Sequence, residues 1–268
     1  MVNIIDKIYI IWHKEDLLGN LIRKIEEVFP DIPYEAIRGP DGNSKDFPKW
    51  LKQSNYNVVP NWNIDGAINP STQTEYSKEK YNEMVTSFNP SGRVHRDHKY
   101  GELACGVAHH KAWKKAQKDG VKNALFLEQD AEIELEHSLQ FKNYMDLLEY
   151  HEIDFDMLYL GFCIASLNIH EKVLDWLVKP AFVYCLHSYI VTDKGISKIL
   201  QDFNDNLCVA DEYIPALFKY RNEDRVHPSL KRLNNNLEVY CIYPRWIKQI
   251  RKNVSGSGTE FSEYYTKL

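Results

Sequence analysis

Long apolar runs are missing from this chain: nothing approaches the ~18 to 20 consecutive apolar residues that crossing a bilayer requires. Cysteine is sparse as well. Cys105, Cys163, Cys185, Cys208 and Cys241 are scattered, odd in number and form no CxxC pair, so neither a zinc ribbon nor a disulfide framework is indicated. Four of them sit among apolar neighbours and read as small core residues. No sign of charge dominates: 33 Lys and Arg against 38 Asp and Glu leave a net −5, a poor match for a nucleic-acid binder. The opening stretch MVNIIDKIYIIWHKED is interrupted by Asp6 and Lys7 and lacks a small-residue cleavage site, so it is not read as a signal peptide. With reduced thiols this points to the cytoplasm, including a host cytoplasm for a virus-encoded chain. Internal repeats and low-complexity tracts are absent too.

What remains is ordinary soluble-protein material. Forty-four percent apolar residues over 268 positions can build a sizeable core without a staple. Lys7–Trp12 is β-branched and aromatic and predicts a buried first strand. A helix follows with Asp16 as its cap and Leu17, Leu18, Leu21, Ile22 and Ile25 at helical spacing, ending before Pro30. A strand over 34–37 then meets the turn Gly39-Pro40-Asp41-Gly42. Strand, helix, strand is the opening of a parallel α/β sheet. Residues 43–97 lose periodicity and read as an irregular insertion; its Trp50, Tyr56, Trp62, Tyr76 and Tyr81 are candidate acceptor contacts.

Past Gly101, periodicity returns. Leu103, Val107, His110 and Trp113 share a helical face that Gly120 ends, and 124–127 reads as a short buried strand. Further expectations are a helix over 139–149, a strand over 156–160 and one over 182–191 with Gly195 at the next bend. A helix over 196–203 and a strand over 239–243 complete the pattern. The basic, Ser/Gly-rich stretch from Arg251 reads as a tail or loop.

Three groups of residues carry candidate chemistry. Glu128 and Asp130 follow a buried strand at the sheet edge where α/β proteins bind ligands. In an extended segment their side chains point the same way, and two like charges there suit a divalent cation with oxygen ligands, manganese or magnesium. A polar turn after a strand is the plain alternative. In GELACGVAHH, Glu102 complements a helix start, and the small residues permit close backbone approach. His109 and His110 are adjacent and face different directions, which suits core or substrate hydrogen bonds better than one metal. Asp211 and Glu212 offer either a general base or a favourable charge pair at a helix start. Arg245, Lys248, Arg251 and Lys252 are candidates for a diphosphate, or a solvated basic tail.

In order along the chain, KIYIIWHKED, the Asp41-Gly42 turn, GELACGVAHHKAW, LFLEQDAEI, DMLYLG, HSYIVTDKGISKIL and VADEY resemble glycosyltransferase family 25. This is the lipooligosaccharide and procollagen galactosyltransferase-like group. GELACGVAHH is similar to its Gly-Glu-x-Gly-Cys-x-x-Ser-His segment, and LFLEQDAEI to its Leu-Glu-Asp-Asp segment. The resemblance implies one GT-A-type catalytic domain over 1–268, with a Rossmann-like nucleotide half fused to an acceptor half. It implies inverting transfer from a nucleotide sugar, UDP-linked in most of the family, to a glycan hydroxyl, with no nucleic-acid partner; a homo-oligomer stays open. Asp130 and Glu128 are then the metal site for Mn2+ or Mg2+. Ile11, Trp12, Asp41, Gly42, Glu102, His109, His110, Glu128, Gln129, His187 and Gln249 line the donor pocket, and Asp211 is the base with Glu212 beside it. One departure stands out: Gln129 replaces an acid. Two other readings follow from the same residues. One is a catalytically decayed nucleotide- or glycan-binding module; the other is a metal-dependent phosphoesterase that would also recruit HRDH at 95–98.

Overall fold

The computed structural model describes residues 5–59, 62–64, 68–69, 74–75, 87–88, 94–96 and 98–250. Ten strands carry the argument below: β1 (Lys7–Trp12), β2 (Tyr34–Arg38), β3 (Asn123–Glu128), β4 (Ala131–Glu132), β5 (Met157–Gly161), β6 (Asn168–Leu174), β7 (Leu177–Phe182), β8 (Ser188–Thr192), β9 (Val239–Ile242) and β10 (Lys248–Gln249). The helices are α1 (Glu15–Val28), α2 (Phe47–Gln53), α3 (Tyr100–Asp119), α4 (Glu136–Tyr150), α5 (Asp193–Leu200) and α6 (Ala210–Ala216).

Eight of these strands form one sheet in the order β6-β7-β9-β5-β8-β3-β1-β2. β1 pairs in parallel with both β2 and β3, the βαβ opening of a Rossmann-like half. β8 then runs antiparallel to β3 and β5, and β7 antiparallel to β6 and β9, so the whole sheet is mixed. The α/β class expected from the sequence is borne out.

Strand alternation sends side chains to two cores. Ile8, Ile10, Leu125 and Leu127 face the layer that holds Leu21 and Ile25 of α1 and Met145 of α4. Tyr9, Ile11, Ala124 and Phe126 face the layer of α3, with Leu103, Val107 and Trp113, joined by Ile196 of α5 and Tyr213 of α6. Continuing that alternation aims Glu128, the last residue of β3, toward α3.

α3 is long because its sequence starts and stops it cleanly. The Glu102 carboxylate accepts from the Lys99 backbone N–H at 2.8 Å, one half of a capping box, and Gly120 closes the helix at φ 67°. Its small residues receive backbone from three sides. A Cβ on Gly39 would meet Ala108 Cβ at 2.7 Å, one on Gly42 would meet Gly101 Cα at 2.5 Å, and one on Gly106 would meet the Cys208 carbonyl at 2.5 Å. The Asp41-Gly42 turn and the segment leading to α6 are thus seated directly on α3.

Several expectations need correction. Asp16 is not the cap: Lys14 holds that position without a side-chain bond, and Asp16 lies in the first turn. Of the proposed strand over 182–191, only 188–191 lie in β8 and Phe182 is the last residue of β7, which begins at Leu177; the segment between them is not strand, and its Cys185 has φ 76°. Gly195 is inside α5, where its N–H donates to the Thr192 hydroxyl that caps the helix. The segment 43–97 contains α2, whose Phe47 and Leu51 are buried. Tyr76 and Tyr81 lie outside the described residues, as do Asp97, Arg251 and Lys252.

Candidate active site

Glu128, Gln129 and Asp130 lie at the carboxyl end of β3, beside that of β1. β3 ends at Glu128, and Gln129 and Asp130 turn away from the strand. The extended-segment argument therefore holds for Glu128 and not for Asp130. Asp130 is fixed from the other side of the sequence: Gln249 Nε2 donates to its Oδ2 at 2.9 Å, and the Ile250 N–H donates to its carbonyl at 2.7 Å. This follows from β10 pairing with β4.

Glu128 faces α3 and meets a relay of polar groups. His109 Nε2 is 2.9 Å from Glu128 Oε1, His109 Nδ1 is 2.8 Å from the Tyr189 hydroxyl, and Trp113 Nε1 donates to that hydroxyl at 2.9 Å. Donors and acceptors balance in one tautomer: Trp113 donates to Tyr189, Tyr189 to His109 Nδ1, and His109 Nε2–H to the carboxylate. Cys105 Sγ lies 3.9 Å from the same Glu128 oxygen. Cys105, His109 and Glu128 have ligand atoms within 4.8 Å of one another, close enough to hold a metal ion.

The electrostatics are those of half-buried carboxylates that feel one another's charge. Burial first, and the charge of Glu128 second, push the Asp130 carboxyl up to about 7. Burial and Glu128 likewise push Asp211 up to about 7, against a backbone hydrogen bond from Cys185. Glu128 itself is held below its ordinary value; burial works against this, and the His109 hydrogen bond with the imidazoles of His109, His187 and His13 outweighs it. Burial, and then the charges of Glu128, Asp211, Asp130 and Glu102, push the Cys105 thiol up. Asp130 Oδ1 is buried without a hydrogen-bond partner. A buried carboxylate oxygen without a hydrogen-bond partner, under the charge of Glu128, fits a hard divalent cation of the Mg2+ or Mn2+ kind.

The remaining candidates divide. Gln129 does not join the acidic group: its Oε1 accepts from the His13 and Lys14 backbone N–H groups at 2.9 Å each, and its Nε2 is 3.1 Å from His13 Nδ1. Ile11 is buried and its carbonyl accepts from the Gln129 N–H at 3.0 Å. Trp12 follows at the strand end, its ring 5.3 Å from the Arg38 guanidinium and its Nε1 buried without a partner. Asp41 is exposed and its carboxylate accepts from the Asn43 N–H at 2.9 Å, with Gly42 against Gly101. Its charge reaches His13, whose pKa is lowered chiefly by burial. His187 is buried, with Nε2 3.1 Å from the Ile247 carbonyl, and Gly161 leaves room for its ring. Glu102 is a helix cap as described. His110 points away, into aromatic core: its Nδ1 is 2.6 Å from the Tyr56 hydroxyl and its ring centroid 4.8 Å from Phe203, and burial lowers its pKa to about 4. Glu212 is buried and accepts from the Tyr184 hydroxyl at 2.7 Å. Arg245 donates to the Phe162 carbonyl at 3.1 Å, and Lys248 is exposed. Trp50 is exposed and stacked on Phe47.

Sequence reasoning passed over Cys105, Tyr189 and His13. Cys105 and His109 are four apart on α3, a spacing that places two side chains on one face and was open to inspection. Tyr189 and His13 carried no such signal, because only the sheet brings them to the site.

No family model matches the chain. Among curated proteins it is 24% identical over 122 residues to procollagen galactosyltransferase 1 of Danio rerio and 24% over 123 residues to procollagen galactosyltransferase 2 of Homo sapiens. It is 26% identical over 124 residues to a Bos taurus protein named probable inactive glycosyltransferase 25 family member 3. Each match covers 44% of this chain and 20% of the relative, so the chain spans only about a fifth of the length of the curated relatives it matches. A solved structure of apo UDP-glucose pyrophosphorylase aligns over 92% of both chains at a TM-score of 0.38 and 9% identity; the fold assignment rests on the sheet described above. Over the matched stretch, the chain resembles members of glycosyltransferase family 25, as its motifs indicate.

Proposed function

We propose that this chain is a glycosyltransferase of the GT-A type that moves a sugar from a nucleotide sugar, UDP-linked, to a glycan hydroxyl with inversion. The observation that carries the reading is the place of Glu128 at the ligand-binding edge of the sheet, where its charge acts on both Asp130 and Asp211 and the Asp130 Oδ1 is buried without a hydrogen-bond partner. The similarity to procollagen galactosyltransferases supports the same class. Asp130 and Glu128 would hold Mn2+ or Mg2+, which when bound offsets charge on a departing diphosphate, a contribution of several kcal/mol. The ends of β1 and β3, with Trp12 and the Asp41-Gly42 turn, would flank the nucleotide. Asp211 would accept the acceptor hydroxyl proton as that oxygen bonds to the anomeric carbon and the bond to the diphosphate breaks. A carboxyl near 7 suits a base working near neutral pH.

The test is a thermal-shift and donor-hydrolysis screen of UDP-, GDP- and CMP-sugars, each with manganese and with chelator. The expected result is a metal-dependent shift with one UDP-sugar and slow release of UDP. Asp130→Asn should remove both the shift and turnover while leaving the melting profile cooperative. No shift with any nucleotide, on folded protein, overturns the reading.

One observation favours a second reading, a binding module without turnover. Gln129 stands where the family resemblance leads one to expect an acid, and its amide is spent on the His13–Lys14 loop. A donor-dependent shift without UDP release or sugar transfer would establish it. Among the described residues no helix is long and apolar enough to cross a membrane. The five cysteines are free, which supports a reducing compartment such as the cytoplasm.

A further inference from the structure

Cys105 and His109 leave the same face of α3, and strand alternation brings Glu128 of β3 to that face. Cys105 Sγ is 3.9 Å and His109 Nε2 2.9 Å from Glu128 Oε1, with all three ligand atoms within 4.8 Å of one another. A tetrahedral zinc-class ion, with a metal–sulfur bond of about 2.3 Å and metal–nitrogen and metal–oxygen bonds of about 2.0 to 2.2 Å, sets its ligands roughly 3.3 to 3.7 Å apart. The two sides that meet at Glu128, 3.9 and 2.9 Å, bracket that range and need shifts of a few tenths of an ångström, and the third side lies within 4.8 Å. The imidazole is already held from behind. Its Nδ1 is 2.8 Å from the Tyr189 hydroxyl, which Trp113 Nε1 fixes at 2.9 Å, and a metal-bound histidine usually has such an outer partner. Thiolate and imidazole select zinc-class ions over magnesium and manganese, which prefer oxygen.

We propose that Cys105, His109 and Glu128 form a binding site for a thiophilic divalent cation of the zinc class, separate in donor chemistry from the all-oxygen pair Glu128 and Asp130. On binding, the Cys105 S–H bond is replaced by a sulfur–metal bond, and the proton leaves to solvent. The His109 proton moves to Nδ1, which then donates to the Tyr189 oxygen in place of the Tyr189 O–H bond to Nδ1, that hydroxyl hydrogen rotating away, and no electron changes hands. Because Glu128 belongs to both groups, a zinc-class ion draws it away from the hard cation. The site rests on the geometry of the triad and does not depend on the transferase reading.

The experiment uses cobalt(II) as a spectroscopic probe, added to the full chain after chelator treatment and desalting. The expected result is a thiolate-to-cobalt charge-transfer band in the near ultraviolet with strong visible bands of a tetrahedral ion. Both should saturate at one ion per chain and be displaced by zinc. Cys105→Ser should lose the charge-transfer band, whereas Cys163→Ser and Cys241→Ser keep it. Should Cys105→Ser fail to fold, His109→Gln serves instead and should weaken cobalt binding at least about tenfold. The absence of a charge-transfer band in the folded parent overturns the site. So does a band that survives Cys105→Ser, or an unchanged affinity in His109→Gln. No sugar donor enters the assay, so its failure leaves the transferase reading standing, and a failed donor screen leaves this site standing.

Discussion

Asp130 and Asp211 are raised to about 7 for the same two reasons, burial and the charge of Glu128, and that shared cause has a pH signature. A carboxyl whose folded value lies above its unfolded one favours the folded state fully below about pH 4, and this advantage drains away as pH rises to about 7. Asp130→Asn removes one of the two groups. In chelator, the melting temperature of the variant relative to the parent should therefore climb between about pH 4 and pH 7. A difference flat across that window would refute the buried, ionisable role of Asp130. Under the proposed metal role manganese would compete with the same protons, so its affinity for the parent should rise over about pH 6 to 8, as titration calorimetry would register. Asp211→Asn should spare donor binding yet slow transfer by ~10² to 10⁴. Full activity in that variant would move the base to Glu212, which is buried against Tyr184.

α3 organises the site by letting three pieces of backbone approach it. Gly106→Ala would push a methyl to 2.5 Å from the Cys208 carbonyl, three residues before Asp211. Overpacking of this kind should cost ~1 to 3 kcal/mol, read from the urea midpoint. Gly42→Ala meets the backbone of Gly101 and Tyr100 and should cost a comparable amount. The helix itself was legible: Leu103, Val107, His110 and Trp113 repeat at helical spacing, and Gly120 supplies the left-handed stop. β1 was equally plain, because a strand buried on both faces reads as continuous β-branched and aromatic residues. The split between β7 and β8 was not legible, since Phe182 to Val191 is apolar almost throughout and the break lies in the backbone of Cys185. β6 escaped because it is an edge strand whose exposed His170, Glu171 and Lys172 dilute the alternation.

Across the molecule, the two-faced sheet decides which distant residues meet. Phe126 stacks on Tyr9 at 5.5 Å and Tyr189 at 5.1 Å between ring centroids, tying three neighbouring strands together on the α3 side. Phe126→Ala should lower unfolding free energy by ~3 to 5 kcal/mol, measured by chemical denaturation. The position of Glu128 at the sheet edge could be anticipated from strand order alone. Its contact with His109 could not, because two cores and a parallel crossover must form before α3 lies over β3. The bond from Gln249 to Asp130 spans 119 positions and depends on the small β4–β10 ladder, which has no sequence signal of its own. Gln129 makes a similar long reach, and it fastens the amides of His13 and Lys14 just past the carboxyl end of β1. Those two amide protons should resist exchange with deuterated solvent although the loop is partly open to water. In Gln129→Ala they should exchange orders of magnitude faster, turning a pre-set rim into one that each incoming ligand must first make rigid.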